Sequence, residues 1–182
     1  YYGMQLNGAI FSGTKGTALF TNSGLLISNT MILIGRGKND ANIIEKALDS
    51  ALNLRYKDKN SKLDWISTDR KAVDNFLNDK LRSEKFTFYG YRDLCLLLKN
   101  ISSKEWYEKY PKNLPTLIFS GTEDPIGEYS KGVKIVYNKL KNQGVKDITL
   151  KLYDGGRHEM LNETNKEDVY KFVLDWIEQR TK

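Results

Sequence analysis

Residues 153–163 read YDGGRHEMLNE and lie between a predicted strand and the last predicted helix. The segment contains His158, the only histidine among the 182 residues. Imidazole takes up and returns a proton near neutral pH more readily than any other side chain, so His158 is the first candidate for a catalytic group. A single loop histidine is more often an ordinary polar surface residue, and the choice between the two roles depends on its partners.

A carboxylate lies upstream in a comparable position. Residues 117–119 (LIF) read as a short buried strand that runs into the turn SGTEDP at 120–125, which places Asp124 at the carboxyl end of that strand. Asp124 could be a helix N-cap with Pro125 at the first helical position, or the acid that fixes the tautomer of a catalytic histidine. The two roles are compatible. Asp124 followed by His158 is the chain order of the last two members of an α/β-hydrolase triad.

Three motifs resemble the C-terminal third of bacterial α/β-hydrolases of the lysophospholipase and monoacylglycerol lipase type. They are GTEDPIG at residues 121–127, KGV at 131–133 and GGRHEMLNE at 155–163. The resemblance implies ester hydrolysis by a Ser-Asp-His triad, in which His158 would be general base and then general acid and Asp124 would orient it.

The resemblance extends over nearly the whole chain. NGAIFSGT at residues 7–14 is similar to the strand and turn that follow the nucleophile helix in this family, and WISTD at 65–69 with Phe86-Thr87 is similar to its cap segment. Lys85 departs from the pattern, because glycine is expected before the aromatic residue. This departure affects only a turn of the cap.

The nucleophile motif is absent. No Gly-x-Ser-x-Gly occurs in the sequence, and Ser12, the nearest candidate, lacks the glycine two positions earlier that permits the sharp strand-to-helix elbow. We therefore expect the elbow about a dozen residues before Tyr2-Gly3. The chain is then expected to be the C-terminal part of a larger hydrolase, with two triad members and a lid but neither the nucleophile nor an oxyanion-hole donor.

The predicted fold class is α/β, with the last three parallel strands of an α/β-hydrolase, flanking helices and a helical cap insertion. Strands are predicted at residues 6–11, 116–119 and 147–153 and are expected to be parallel and adjacent, because each returns through a helical crossover. The predicted units are a core strand and turn at 1–17, a helical cap at 18–110 and a C-terminal core at 111–182. Helix N-caps are predicted at Asp40, Thr68, Ser102 and Thr164.

The cap is expected to overhang the active site. Two roles are open for the apolar side chains at its beginning, which are acyl-pocket lining and ordinary packing of the cap on the sheet. The side chains are Leu19, Leu25, Leu26, Met31 and Ile32. The apolar run from Ala18 to Ile34 is interrupted by polar residues and is too short to span a bilayer.

Composition is that of a globular domain, with 40% hydrophobic and 29% charged residues. Cys95 is the single cysteine, so no intramolecular disulfide can form; it is expected to be a buried apolar residue in a reducing, cytoplasmic compartment. The net charge of +6 is spread through mixed-sign segments rather than in a basic stripe, and nucleic acid is not an expected partner. Expected partners are a lipid or small-ester substrate, a membrane surface contacted peripherally, the missing N-terminal part and, through an exposed strand edge, a second copy.

Metal and cofactor chemistry are not expected. One histidine and one cysteine do not supply a set of zinc or iron ligands, and GTKG at residues 13–16 lacks the glycine spacing of a phosphate-binding loop. Two alternatives to a lipid esterase stay open. One is a non-catalytic binding or scaffold protein that keeps Asp124 and His158 for packing, and the other is a related hydrolase of peptides or small esters.

Overall fold

The computed structural model of the chain describes residues 5–16, 20–56, 60–81 and 85–181. The strands are β1 (Ala9–Ser12), β2 (Thr116–Gly121) and β3 (Ile148–Tyr153). The helices are α1 (Thr21–Leu33), α2 (Asn42–Leu52), α3 (Arg70–Asn78), α4 (Phe88–Ile101), α5 (Lys104–Glu108), α6 (Lys131–Asn142) and α7 (Lys166–Glu178). A 3-10 turn covers Met160–Asn162.

The three strands form a parallel sheet in the order β1-β2-β3. The prediction of three adjacent parallel strands is confirmed, although β1 begins at Ala9 rather than residue 6 and β2 extends to Gly121. All six residues of β2 are buried, because the strand has a neighbour on each side and helices on both faces. Because the strands are parallel, the carboxyl ends of β1, β2 and β3 lie together at one edge of the sheet.

Each face of the sheet has its own apolar cluster. On one face Ile118 packs with Val133, Val136 and Leu140 of α6. On the other face, the odd-numbered neighbours Leu117 and Phe119 pack with side chains of α7. This alternation is the two-residue period of a strand, and it fixes which helix covers which face.

Helices α1 to α5 fall within the predicted cap, but the predicted N-caps are wrong. Asp69, not Thr68, caps α3 by accepting from the Lys71 and Ala72 amides, and Ser103, not Ser102, caps α5. Helix α2 follows Ala41 and α7 follows Asn165, both without a side-chain cap. Whether residues 18–110 form a unit distinct from the core stays a prediction.

Helix α1 buries its small polar face. Thr21 and Ser28 are buried, whereas Leu26 is 70% exposed and Leu33 is 85% exposed. The helix packs along α4, and a methyl group added to Gly24 would lie 2.8 Å from the Cys95 sulfur. Small residues on this face let the two helices approach closely. Among the described residues, none of the helices combines the length and apolar character needed to cross a bilayer.

Candidate active site

The acidic member of the site lies just beyond the end of β2. Asp124 is completely buried, and its Oδ2 accepts a hydrogen bond from Ser120 Oγ at 2.8 Å while its Oδ1 accepts from the Ile126 amide at 2.9 Å. The second contact closes a turn through Pro125 that an aspartate side chain is well suited to form. The N-cap interpretation of Asp124 is wrong, because no helix begins at Pro125 and α6 starts only at Lys131. The carboxylate is held in one orientation by one donor from β2 and one from the turn that follows it.

The backbone after Asp124 is strained. Glu128, Tyr129 and Ser130 have φ values of 53°, 54° and 73°, a left-handed conformation that is unfavourable for residues with side chains. The Tyr129 amide donates to the Asp124 carbonyl oxygen at 2.8 Å, which ties this tight turn back onto the acid. Strain of this kind persists where surrounding contacts enforce it, and it concentrates at functional sites.

His158 meets Asp124 as predicted. The imidazole Nδ1 lies 3.2 Å from each oxygen of the Asp124 carboxylate, although the two residues are 34 positions apart. The His158 side chain is 25% exposed and the Asp124 side chain is 0% exposed. In the described part of the chain the imidazole has no other hydrogen bond, so Nε2 is available to exchange a proton with a reacting group.

Glycines at the strand ends make room for the histidine loop. Gly13 follows β1 directly, and a methyl group added to it would lie 2.7 Å from both Cε1 and Nδ1 of His158. Gly121 ends β2, and a methyl group there would overlap the Gly156 carbonyl. In the sequence, both glycines are visible at the carboxyl end of an apolar strand. The sequence did not show that Gly13 contacts the imidazole ring or that Gly121 contacts the histidine loop.

A cavity of about 490 Å³ opens beside His158. Its apolar lining comes from Leu63, Trp65, Ile66, Phe76, Phe86 and Tyr91. The Trp65 ring lies 5.3 Å from the imidazole, centroid to centroid. Charged side chains also reach the cavity, and among them Lys62 contacts Glu45 at 2.8 Å and Asp49 at 3.8 Å. The cavity therefore combines a mainly aromatic wall with a compact ionic cluster.

The predicted acyl-pocket residues lie elsewhere in the structure. Leu26 is exposed, Leu25 is half-buried, and Met31 and Ile32 pack against the cluster of Ala41, Ile44 and Phe88. Leu19 lies outside the described residues. None of the four described side chains lines the cavity at His158, since α1 turns its small polar face inward. Their role in substrate binding stays a prediction, and the lining of the His158 cavity was missed from the sequence.

Neither Ser12 nor the single cysteine, Cys95, makes a hydrogen bond to His158 in the described part of the chain. Ser12 is exposed at the end of β1 and has no hydrogen bond to His158. Cys95 is buried, as predicted, and its burial raises the pKa of the thiol while the nearby Lys15 ammonium opposes the shift. A thiol with a raised pKa is a poor nucleophile at neutral pH. In the described ranges, no group of three His, Cys, Asp or Glu side chains could hold a metal ion.

Comparison with known families identifies the fold. The family model for serine aminopeptidase S33 hydrolases matches residues 15–165, which include both Asp124 and His158. The chain belongs to this hydrolase family. The predicted α/β-hydrolase fold is confirmed.

Solved structures of ester hydrolases share the fold of this S33-family chain. A thermostable carboxyl esterase from Bacillus coagulans, in complex with glycerol, superposes with a TM-score of 0.89 at 27% identity over 98% of this chain and 58% of its own. A lipase in an open form gives a TM-score of 0.80 at 23% identity over 98% of this chain and 59% of its own. A soluble variant of monoglyceride lipase from Saccharomyces cerevisiae, in complex with a substrate analogue, gives 0.65 at 18% identity over 100% of this chain and 58% of its own.

The chain thus spans 58% to 59% of the length of these three structures. No curated protein sequence matches it.

Proposed function

We propose that this S33-family chain supplies the acid and the base of a serine hydrolase that cleaves carboxylic esters of lipids, such as monoacylglycerols or lysophospholipids, with its nucleophilic serine in residues that precede Tyr1. The observation that carries the proposal is the contact between His158 Nδ1 and the buried Asp124 carboxylate, 3.2 Å long, beside an apolar cavity. The shorter length of the chain relative to the ester hydrolases of the same fold supports a nucleophile outside it.

In this mechanism Asp124 keeps the proton of the neutral imidazole on Nδ1, so that Nε2 is a base. As the serine hydroxyl attacks the ester carbonyl, its proton passes to Nε2, and the buried carboxylate stabilises the imidazolium that forms. Nε2 then returns the proton to the departing alkoxide as the bond between the carbonyl carbon and the alcohol oxygen breaks. Water cleaves the acyl-enzyme by the same two proton transfers.

The cavity supports a lipid ester as the substrate. Its apolar wall suits an acyl chain, which gains from leaving water in proportion to the apolar area that it buries. The paired side chains of Lys62 and Glu45 offer polar contacts for a glycerol or phosphate-bearing head group. Acyl chain and head group would then occupy different sides of the same cavity.

An aminopeptidase is the second candidate, because the matched family carries that description. Such an enzyme needs a carboxylate to bind the substrate ammonium group, and Glu45, Asp49 and Glu159 reach the cavity. Two of these carboxylates already contact Lys62, which leaves less negative charge for a substrate amine. An ester substrate is therefore favoured.

The test uses the whole protein that contains the chain and a fluorophosphonate probe, which labels a serine only when the catalytic histidine is competent. We expect labelling of a serine outside residues 1–182, loss of labelling in His158→Ala, and hydrolysis of a monoacylglycerol in preference to an aminoacyl p-nitroanilide. The matched control is Lys171→Ala, at an exposed position of α7.

Labelling that persists without His158, or that occurs at Ser12, would overturn the proposal. A preference for the aminoacyl anilide would replace the esterase with an aminopeptidase.

A further inference from the structure

Glu163 is a charged side chain in the interior. It is 1% exposed and ends the segment that carries His158. Its Oε1 accepts from the Arg157 amide at 2.8 Å and from the Thr68 amide at 3.0 Å. Its Oε2 accepts from the Thr68 amide at 3.1 Å, from the Thr164 amide at 3.3 Å and from the Thr68 hydroxyl. Burial of a carboxylate is costly unless hydrogen bonds replace its water, and here four donors do so.

These bonds join two distant parts of the chain. Thr68 precedes α3 in the insertion, and Arg157 and Thr164 flank the histidine loop, 89 and 96 positions later, by subtraction of the residue numbers. Ser67 Oγ adds a bond to the Asn162 carbonyl at 2.9 Å, and the Arg157 guanidinium donates to the Ser67 carbonyl at 3.2 Å. The turn at Ser67 and Thr68 is thereby fastened to the loop.

The residues on either side of His158 are both held by this connection. The Arg157 amide donates to Glu163, and the Glu159 amide donates to the Ile66 carbonyl at 2.8 Å. The backbone of His158 is thus fixed on its N-terminal and C-terminal sides by one carboxylate and one carbonyl. The contact with Asp124 then fixes the orientation of the imidazole ring.

We propose that Glu163 is a positioning residue for His158: its buried carboxylate fastens the histidine loop to the turn at Thr68 and so holds Nδ1 of the imidazole against Asp124. The functional consequence rests on the proposed catalytic role of His158, whereas the positional effect does not. Residues 66–68, although within the predicted cap, are then held rigidly against the histidine loop, and a moving lid could not include them.

The arrangement requires a carboxylate. A glutamine at position 163 has one acceptor oxygen, and its NH₂ group would face a backbone N–H or the Thr68 hydroxyl. Glu163→Gln keeps the size of the side chain but leaves at least one buried donor unpaired. Thr68 offers a milder pair of variants, because Thr68→Val removes the hydroxyl at similar volume and Thr68→Ser retains it.

The experiment reads the tautomer of His158 by ¹⁵N NMR of the whole protein labelled in histidine, with the resonances assigned by their loss in His158→Gln. We expect the ratio of the Nδ1–H to the Nε2–H tautomer to fall about fivefold in Glu163→Gln, the effect of losing one ordinary hydrogen bond. Thr68→Val should move the ratio in the same direction and Thr68→Ser should leave it unchanged. Leu140→Ala, a buried position of α6, is the control for general destabilisation and should lower the melting temperature without changing the ratio.

A wild-type ratio in both Glu163→Gln and Thr68→Val, with lowered melting temperatures, would overturn the positioning role and leave Glu163 as a purely structural residue. If Glu163→Gln does not fold, the comparison of Thr68→Val with Thr68→Ser decides. Because the tautomer is measured without turnover, a failed fluorophosphonate test and a failed positioning test are distinguishable outcomes.

Discussion

Gly13 lies against the imidazole of His158 so closely that a methyl group on its Cα would be 2.7 Å from two ring atoms. Its φ of 60° is also in the left-handed region. Glycine is therefore required here for space as well as for conformation. The end of β1 forms one wall of the histidine site, and the site includes a residue with no side chain.

Gly13→Ala should displace His158 and destabilise the fold. Gly35→Ala is the matched control, because Gly35 has a φ of 79° and nothing within 4 Å of an added methyl group. We expect the control to lower the free energy of unfolding by about 1–2 kcal/mol, the ordinary penalty for a residue with a side chain in the left-handed backbone conformation. Gly13→Ala should lower it further. Urea denaturation measures both, and ¹⁵N NMR should show a changed His158 only in Gly13→Ala. Equal losses of stability and an unchanged imidazole would contradict the packing argument.

Ser120→Ala should weaken the hold on Asp124. The hydroxyl is one of the donors to the buried carboxylate, and its removal leaves Oδ2 without that partner, at a cost of about 1–3 kcal/mol. In the whole protein we expect kcat to fall while KM changes little, because the acid acts on the histidine and not on the bound ester. Ser50→Ala, exposed on α2, should leave both quantities unchanged. A rise in KM alone would place the effect in substrate binding instead.

Asp64 should make the stability of the chain depend on pH in the acid range. Burial by itself would raise the pKa of Asp64, but hydrogen bonds from Ser61 and the Asn60 amide, with the charge of Arg70, lower it below its ordinary value. A lowered folded-state pKa means that the carboxylate stabilises the fold above the unfolded pKa, and that this stabilisation is lost as the pH falls through the folded value.

The difference in unfolding free energy between the wild type and Asp64→Asn should be constant from about pH 7 to 5 and shrink below about pH 4. Denaturant titrations across this range measure it. A difference that grows on acidification would show that another group dominates.

The outer edge of β1 should promote association. The Ala9 and Gly13 amides donate toward β2. Because successive amides of a strand point to opposite sides, the Ile10 amide points to the other edge of β1. No strand pairs with that edge within the described residues. Residues 1–182 alone are expected to self-associate, and Ile10→Pro should reduce this without breaking the β1–β2 ladder. Phe11→Pro, which removes a donor toward β2, is the destabilising control. Light scattering that shows a dispersed monomer over a wide concentration range would refute the edge argument.

Residues 1–182 alone should not catalyse ester hydrolysis. His158 has no hydroxyl or thiol partner in the described part of the chain, and an acid–base pair without a nucleophile cannot form an acyl-enzyme. We expect p-nitrophenyl ester hydrolysis no faster than in His158→Ala, whereas in the whole protein the same substitution should cost several orders of magnitude. Turnover by residues 1–182 that depends on Ser12 would identify a nucleophile within the chain.

Much of the core could be predicted from the sequence. The apolar run at residues 117–119 between Pro115 and the glycine-containing turn identified β2, and helical crossovers between the strands predicted parallel pairing, because both depend on local pattern and chain order. The same order predicted that Asp124 and His158 would meet, since the carboxyl ends of parallel strands lie at one edge. The apolar faces of the amphipathic helices could be predicted from the helical period. Each predicted N-cap lies one residue before the observed one, and α2 and α7 have no side-chain cap.

Long-range contacts between irregular segments could not be predicted from the sequence and became visible only in the tertiary structure. Thr68 and Glu163 are 95 positions apart, and neither belongs to a repeating pattern that could reveal its partner. Polar and apolar residues are mixed around α1, so its sequence carried no helical period to show that Thr21 and Ser28 face inward. Amphipathic periodicity and strand order record burial within one element, whereas the fastening of the histidine loop depends on side chains from separate loops that only the folded chain brings within hydrogen-bond distance.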